Sequence, residues 1–210
     1  MTQQSLFIVI EGLDGSGKST ASLALKKLLE KRLSREVMRT YEPKDDAVAG
    51  TFIRDILEKR ITQFDPFMLA LGYATNRLDH NSRFIRPWLA QEGLQVVICD
   101  RYYLSSLVYN SSEDFSFDQV MLLNRKALRP DVIFFLNVSA EVCRERMNQR
   151  DEPLELFETK LDLYRQKYIE AMEYLRTNRA ENIVAIDGNQ SVEKVVAAML
   201  REIEVLLNEH

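Results

Sequence analysis

Cysteine is nearly missing from this chain. Cys99 and Cys143 are the two present, and their positions match neither a disulfide framework nor a pair of metal ligands. A reduced, intracellular protein is expected. Histidine is as scarce, with His80 and the terminal His210 alone, which argues against a zinc site. No apolar run approaches the length of a membrane-spanning helix, and the N-terminus lacks a secretory pattern, so the expectation is a soluble, cytoplasmic protein without a membrane partner. Basic residues are not in excess: 28 Lys and Arg against 32 Asp and Glu give a net charge of −4. That balance argues against a non-specific nucleic-acid binder, whose basic face would register in the total. Internal repeats and low-complexity linkers are absent too. What remains is 210 residues, enough for one domain that buries about 70% of its unfolded surface and needs no metal or disulfide to hold its core.

The stretch that organises the rest is FIVIEGLDGSGKST, residues 7–20. It reads as a buried strand, a glycine-rich turn and the start of a helix. Gly12, Gly17, Lys18 and Ser19 fit the phosphate-loop pattern G-x-x-x-x-G-K-[ST]. Glycines let the backbone approach a ligand, so that consecutive N–H groups turn toward phosphate oxygens. The helix start adds uncommitted amides and the positive end of its dipole. Lys18 supplies a mobile point charge, and the Ser19 hydroxyl suits Mg²⁺. The plain alternative is a glycine-rich strand-to-helix turn that holds nothing.

Further along, Ala21, Leu25, Leu28, Leu29 and Leu33 make one helical stripe, and Val37 to Tyr41 reads as a strand ending at Glu42-Pro43. Asp65-Pro66 predicts a capped helix start, with the helix running to Glu92 and kinked at Pro87. Gln95 to Cys99 is a buried strand that ends in Asp100-Arg101, followed by helices over Leu104 to Tyr109 and Phe117 to Leu128. Asp131 to Val138 is the fourth strand, with Ser139 as the next helix cap. After a charged break over Arg150 to Leu154, the stripe Phe157, Leu161, Tyr164, Tyr168, Met172 and Leu175 predicts a long helix. Ile183 to Ile186 is the last strand. Strands alternating with helices predict an α/β protein with the P-loop NTPase fold: three layers, α/β/α, around a central parallel five-stranded sheet. Ligands of such sheets sit beyond the strands' carboxyl ends, which brings Asp14, Glu42, Asp100 and Asn137 to one rim.

A phosphate loop alone leaves ATPases, GTPases and kinases open. Three constellations narrow the choice. Asp100 and Arg101 close a strand, where a carboxylate can hold Mg²⁺ and a planar guanidinium can grip a second phosphate; a structural ion pair would look the same. Tyr73, Asn76, Arg77 and His80 share a helix face, suited either to a planar heterocycle with carbonyl groups or to solvent. Arg144, Arg146 and Arg150 cluster at the charged break, where a closing lid could bring positive charge to a moving phosphoryl group.

Assembled, these segments resemble the thymidylate kinase family from end to end. Residues 7–20 resemble its phosphate loop, acidic Asp14 included. Tyr41-Glu42-Pro43 resembles an Arg-Glu-Pro segment, YATNRLDH at 73–80 its nucleobase helix, and DRYYLSSLVYN at 100–110 its D-R-Y-x-x-S-S-x-x-Y-Q block. Arg129-Pro130-Asp131 and residues 186–190, IDGNQ, fit as well. The resemblance implies one domain over 1–210 with a short lid around 147–156, and transfer of a phosphoryl group from Mg-ATP to dTMP. It implies that Gly12, Leu13, Asp14, Gly15, Ser16, Gly17, Lys18, Ser19 and Thr20 bind ATP, with Mg²⁺ held by Ser19 and Asp100. It assigns dTMP to Asp14, Glu42, Tyr73, Asn76, Arg77, Arg101, Ser106, Tyr109, Asn110 and Tyr168. Tyr73 would stack on the base, Arg77 read a ring carbonyl, Tyr109 fill the space of a ribose 2′-hydroxyl and Arg101 grip the acceptor phosphate. Catalysis would rest on Lys18, Asp14, Arg101 and a lid arginine, Arg150 first and Arg146 second, because the phosphate loop carries Gly15 where some members carry arginine. A homodimer is implied, and no nucleic acid. Tyr41 departs from the family's arginine, whose contact could shift to Arg54 or Lys44.

Two other readings stay open on sequence. One is a kinase of another pyrimidine nucleotide, or of a deoxynucleoside with Glu42 as base. The other is a nucleotide-dependent switch, although no Asn-Lys-x-Asp run for guanine is present.

Overall fold

The computed structural model describes residues 5–149, 156–157 and 160–208. Its centre is a parallel sheet of β1 (Leu6–Glu11), β2 (Met38–Tyr41), β3 (Val96–Asp100), β4 (Val132–Asn137) and β5 (Ile183–Asp187), in the order β2-β3-β1-β4-β5. Successive residues of β1 point to opposite faces, and all six are buried because both faces are covered. Leu6, Ile8 and Ile10 pack under α1 (Lys18–Leu33) and α9 (Val192–Asn208), whereas Phe7 and Val9 join the other core. That second core takes in α5 (Tyr103–Asn110), α6 (Phe117–Leu123), α7 (Ala140–Asn148) and α8 (Leu161–Arg179). The remaining helices are α2 (Gly50–Leu57), α3 (Pro66–His80) and the short α4 (Arg86–Leu89).

The sequence signals at helix starts act as expected. Asp65 accepts from the Phe67 amide with Pro66 in the first turn, and Ser139 accepts from the Val142 amide. Three boundaries differ by more than one residue. The helix expected to reach Glu92 stops at Leu89, and the disturbance from Pro87 is taken up one turn earlier, as a π-helical turn over Asn81–Ile85. The helix expected to reach Leu128 ends at Leu123, where the Asn124 side chain turns back to the Val120 carbonyl and accepts from Arg77. Phe157 is not part of the long helix; that helix begins at Leu161, and the Phe157 ring stacks on Tyr109 instead.

Candidate active site

Beyond the carboxyl ends of β1, β2 and β3, and walled by α2, α3 and α5, lies a cavity of about 420 Å³. The turn between β1 and α1 forms one end of it. Gly15 and Gly17 take φ of 80° and 91°, and a Cβ on Gly15 would meet the Cys143 carbonyl oxygen at 2.4 Å. That contact excludes any side chain, arginine included, from this position of the loop. Gly17 gives α1 no side-chain cap, so the first-turn amides keep no intrahelical acceptor and face the cavity end. The Lys18 ammonium lies back on the loop, donating to the carbonyls of Gly12 at 3.0 Å and Leu13 at 2.7 Å, with Asp14 at 3.7 Å. Burial pushes it down to about 8, helped by the charge of Arg101 and opposed by Asp14, Glu11 and Asp100.

Arg101 is the cationic centre of the cavity. Its backbone, at φ 65°, leaves the sheet in the left-handed region and sends the side chain across the strand ends. Nη2 donates to Asp14, and Nη1 lies 3.1 Å from both Ser105 Oγ and Tyr168 Oη. Burial opposes this charge, but Asp14 and the neighbouring tyrosines and Glu11 outweigh it and hold the guanidinium protonated. Beneath it sits Glu11, which sequence reasoning passed over as the end of an apolar strand. Its carboxylate accepts from the Tyr102 amide at 2.7 Å, the Ser105 amide at 3.0 Å, Ser105 Oγ at 2.6 Å and Tyr168 Oη at 3.1 Å. Burial pushes the Glu11 carboxyl up, while Arg101, the Ser105 hydroxyl and the Tyr102 and Ser105 amides pull it back.

At the far end, Arg77 is 2% exposed and lines the cavity. Nε donates to Glu42 at 2.7 Å; both N–H groups of Nη1 are used by Ser106, at 3.0 Å, and Asn124. Among the described residues Nη2 has no acceptor, which leaves two N–H donors for a ligand. Glu42 also accepts from His80 Nδ1 at 3.1 Å, and the other ring nitrogen meets Thr40 Oγ1 at 2.7 Å. The potential ligand atoms of Glu42, His80 and Cys99 lie within 4.8 Å of one another. With both ring nitrogens engaged and a guanidinium on the carboxylate, this cluster is a hydrogen-bond chain that orients Arg77 and not a cation site. Glu42 is thereby committed on both oxygens and cannot serve as a free base. Asn124 carries no motif that would have revealed it.

Asp100 Oδ2 accepts from Arg39 at 2.6 Å, while Oδ1 is buried with no partner among the described residues. Asp14, Lys18, Ser19, Thr20, Glu42, Tyr73, Ser106, Tyr109 and Asn110 also line the cavity. The fold does not bring every expected residue there. Asn76 is buried and turned to the main chain of Lys44 and Val48, so it braces the loop after β2; the helical face read from spacing splits, because Asn76 is rotated about 100° from Arg77. Arg146 lies behind the loop, donating to the Gly15, Ser16 and Gly188 carbonyls at 3.3–3.5 Å. Tyr168 supports Arg101 and Glu11 from below. Leu13 is core, and Asn137 accepts from Arg165. Tyr41 bonds Asp45, as does Arg54. Arg150 lies outside the described residues, with most of the expected lid. Phe157 and Arg39, unforeseen, line the cavity.

A parallel sheet that carries a phosphate loop, with the guanidinium groups of Arg39, Arg54, Arg77 and Arg101 in one cavity beyond its carboxyl edge, defines a P-loop nucleotide-binding α/β protein. Within that class the chain belongs to the thymidylate kinase family, whose model matches residues 10–199. A "Probable thymidylate kinase" of Methanocaldococcus jannaschii is 38% identical over 195 residues, covering 91% of this chain and 92% of the relative. The "Thymidylate kinase" of Halalkalibacterium halodurans is 33% identical over 210 residues, covering 96% and 97%. A "Probable thymidylate kinase" of Staphylothermus marinus is 32% identical over 206 residues, covering 97% and 95%.

Proposed function

We propose that this protein transfers the γ-phosphoryl group of ATP to dTMP, releasing dTDP and ADP. An oxygen of the acceptor phosphate attacks the γ-phosphorus in line as the bond to the ADP oxygen breaks. The acceptor is already ionised, so no strong base is required, and orientation plus charge neutralisation carry the rate. The observation that supports this most is the single cavity with the phosphate loop at one end, the open Nη2 donors of Arg77 at the other and Arg101 between them. Two N–H donors suit the carbonyl edge of thymine or uracil and oppose the amino edge of cytosine. Tyr73 stacks on that base, and Tyr109 with Phe157 closes the space beside the sugar. Arg101 holds the acceptor phosphate, and Asp14 orients Arg101. Oxygen donors suit Mg²⁺, and the Ser19 hydroxyl with the unpartnered Asp100 Oδ1 is such a set. The ion supplies charge neutralisation at the β- and γ-phosphates. A deoxynucleoside acceptor is disfavoured, because Glu42 is spent on Arg77 and His80.

The test is ADP release from Mg-ATP with dTMP, dUMP, dCMP, AMP or thymidine, run on the wild type and on Arg77→Ala. The expected ranking puts dTMP first. Arg77→Ala should raise KM for dTMP about a hundredfold, the loss of a charged hydrogen-bond pair, with KM for ATP within about twofold. Turnover of thymidine without turnover of dTMP would sink the proposal.

Protonated Lys18 binds phosphate, so nucleotide binding takes up a proton where free Lys18 has lost it. Affinity for ADP should be flat below pH 8, since the free group lies at about 8, and weaken by up to about tenfold per pH unit above it. Calorimetric titration from pH 7 to 9.5 measures this, with Lys18→Met expected to be flat. A flat wild-type profile removes Lys18 from the phosphates.

No helix among the described residues is long and apolar enough to cross a membrane, and a cytoplasmic setting is part of the proposal. A homodimer completes the proposal: Phe67, Met68 and Leu71 leave α3 with an exposed apolar side. Sedimentation at micromolar concentration checks it, a 24.4 kDa species being the contrary result.

A further inference from the structure

We propose that Arg39 is a positioning residue of the metal and phosphate site, holding Asp100 and the Ser19 turn of α1 in fixed relation. This rests on the function proposed above and extends it to a residue outside the motifs that carry it.

Arg39 and Tyr41 are two apart on β2 and so point to the same face of the sheet. The Tyr41 phenol turns aside to Asp45, which leaves Arg39 as the guanidinium that this strand sends to the cavity. Its planar fork makes two short bonds to different elements. Nη2 donates to Asp100 Oδ2 at 2.6 Å, at the end of β3, and Nε donates to Ser22 Oγ at 2.7 Å, in α1. The Ser22 hydroxyl in turn donates to the Ser19 carbonyl at 3.1 Å. One side chain thus spans from the carboxylate to the turn that carries the Ser19 hydroxyl.

A carboxylate at a strand end can rotate about two side-chain bonds. With Oδ2 clamped, that rotation is lost, and Oδ1 is left buried without a partner among the described residues. An orphaned acceptor of this kind carries a desolvation cost, which a bound cation or its water relieves. The fork is what permits the bridge: a lysine ammonium can neutralise Asp100 but cannot meet both oxygens in one plane. The charge has a second effect. Lys18, Arg39, Arg54, Arg77 and Arg101 line the cavity against Asp14, Glu42 and Asp100, with Glu11 beneath, so cationic groups outnumber carboxylates and a free divalent ion is repelled. The ion therefore enters with the polyphosphate that reverses that balance.

The experiment is Mn²⁺ binding followed by electron paramagnetic resonance, on wild type, Arg39→Met and Arg39→Lys, with and without ADP. ADP affinity in EDTA and thermal midpoints are measured alongside. Wild type should bind Mn²⁺ tightly only when ADP is present. Arg39→Met should weaken Mn²⁺ binding in the ADP complex at least tenfold while metal-free ADP affinity moves less than threefold, and Arg39→Lys should recover part of the loss. In an Asp100→Asn background, Arg39→Lys should add no further loss, a comparison that stands even if Arg39→Met fails to fold. Unchanged Mn²⁺ affinity, or an equal loss of metal-free ADP binding, overturns the positioning role; the second outcome makes Arg39 a direct phosphate ligand. Failure of the wild type to bind Mn²⁺ with ADP removes the nucleotide-metal reading itself, and this one with it.

Discussion

Replacing Arg101 by alanine is expected to lower kcat for dTMP phosphorylation about a thousandfold, roughly 4 kcal/mol of transition-state stabilisation. Removing one positioned hydrogen-bond donor from such a site costs on the order of a hundred- to a thousandfold, and Arg101 offers a charged fork. The site invests in its position. The backbone is held in the left-handed region at φ 65°, the Arg101 amide still donates to the Ile10 carbonyl at 2.9 Å, and Asp14, Ser105 and Tyr168 hold the guanidinium. Arg101→Lys keeps a point charge without the fork, so a loss of about a hundredfold is expected there. KM for ATP should stay within a few-fold in both, because the proposal gives that end to the loop amides and Lys18. Steady-state rates with each substrate varied decide the matter. A kcat within tenfold of wild type for Arg101→Ala would remove this residue from the reacting phosphates.

The second large effect is on stability. Glu11→Ala strips the acceptor from four donors, the Tyr102 and Ser105 amides, Ser105 Oγ and Tyr168 Oη, all in the interior. It also takes a carboxylate away from beneath Arg101, whose charge Glu11 helps to hold. Breaking a buried charged network on one side costs about 3–5 kcal/mol. For a domain of this size that lowers Tm by on the order of 10 °C. Glu11→Gln keeps one acceptor but turns an NH₂ group toward donors, so about half that loss is expected. Denaturant unfolding at pH 7 provides the comparison, and a change below about 1 kcal/mol for Glu11→Ala would mean that water or a rearranged Ser105 satisfies the donors.

Much of the scaffold could be read from local pattern. Four strands, β1, β3, β4 and β5, are short and largely apolar, so hydrophobicity marks them, whereas β2 is MRTY and is bounded by Glu42-Pro43. The phosphate loop carries its glycines in fixed spacing because the turn demands them locally. Asp65 and Ser139 cap helices through contacts two or three residues away. The convergence of Asp14, Lys18, Tyr73, Arg77, Asp100, Arg101 and Tyr109 on one cavity follows from a parallel sheet, whose strand ends all open on the same edge.

Residues that act through partners far along the chain were not legible in this way. Asn124 reaches Arg77 across 47 positions, and Glu11 meets Tyr168 across 157. Nothing in the neighbourhood of either announces the bond. Asn76 and Arg77 are adjacent in a polar segment, yet one braces a loop and the other lines the cavity. Which side of α3 faces inward depends on how that helix packs on α2 and α5. Periodicity and turn chemistry, being local, set the elements, their order and the phosphate loop in advance of any folding. The partners of each buried charge are a matter of tertiary packing, because only the assembled sheet and helices bring Arg39 to Asp100, Glu42 to Arg77 and Glu11 beneath Arg101.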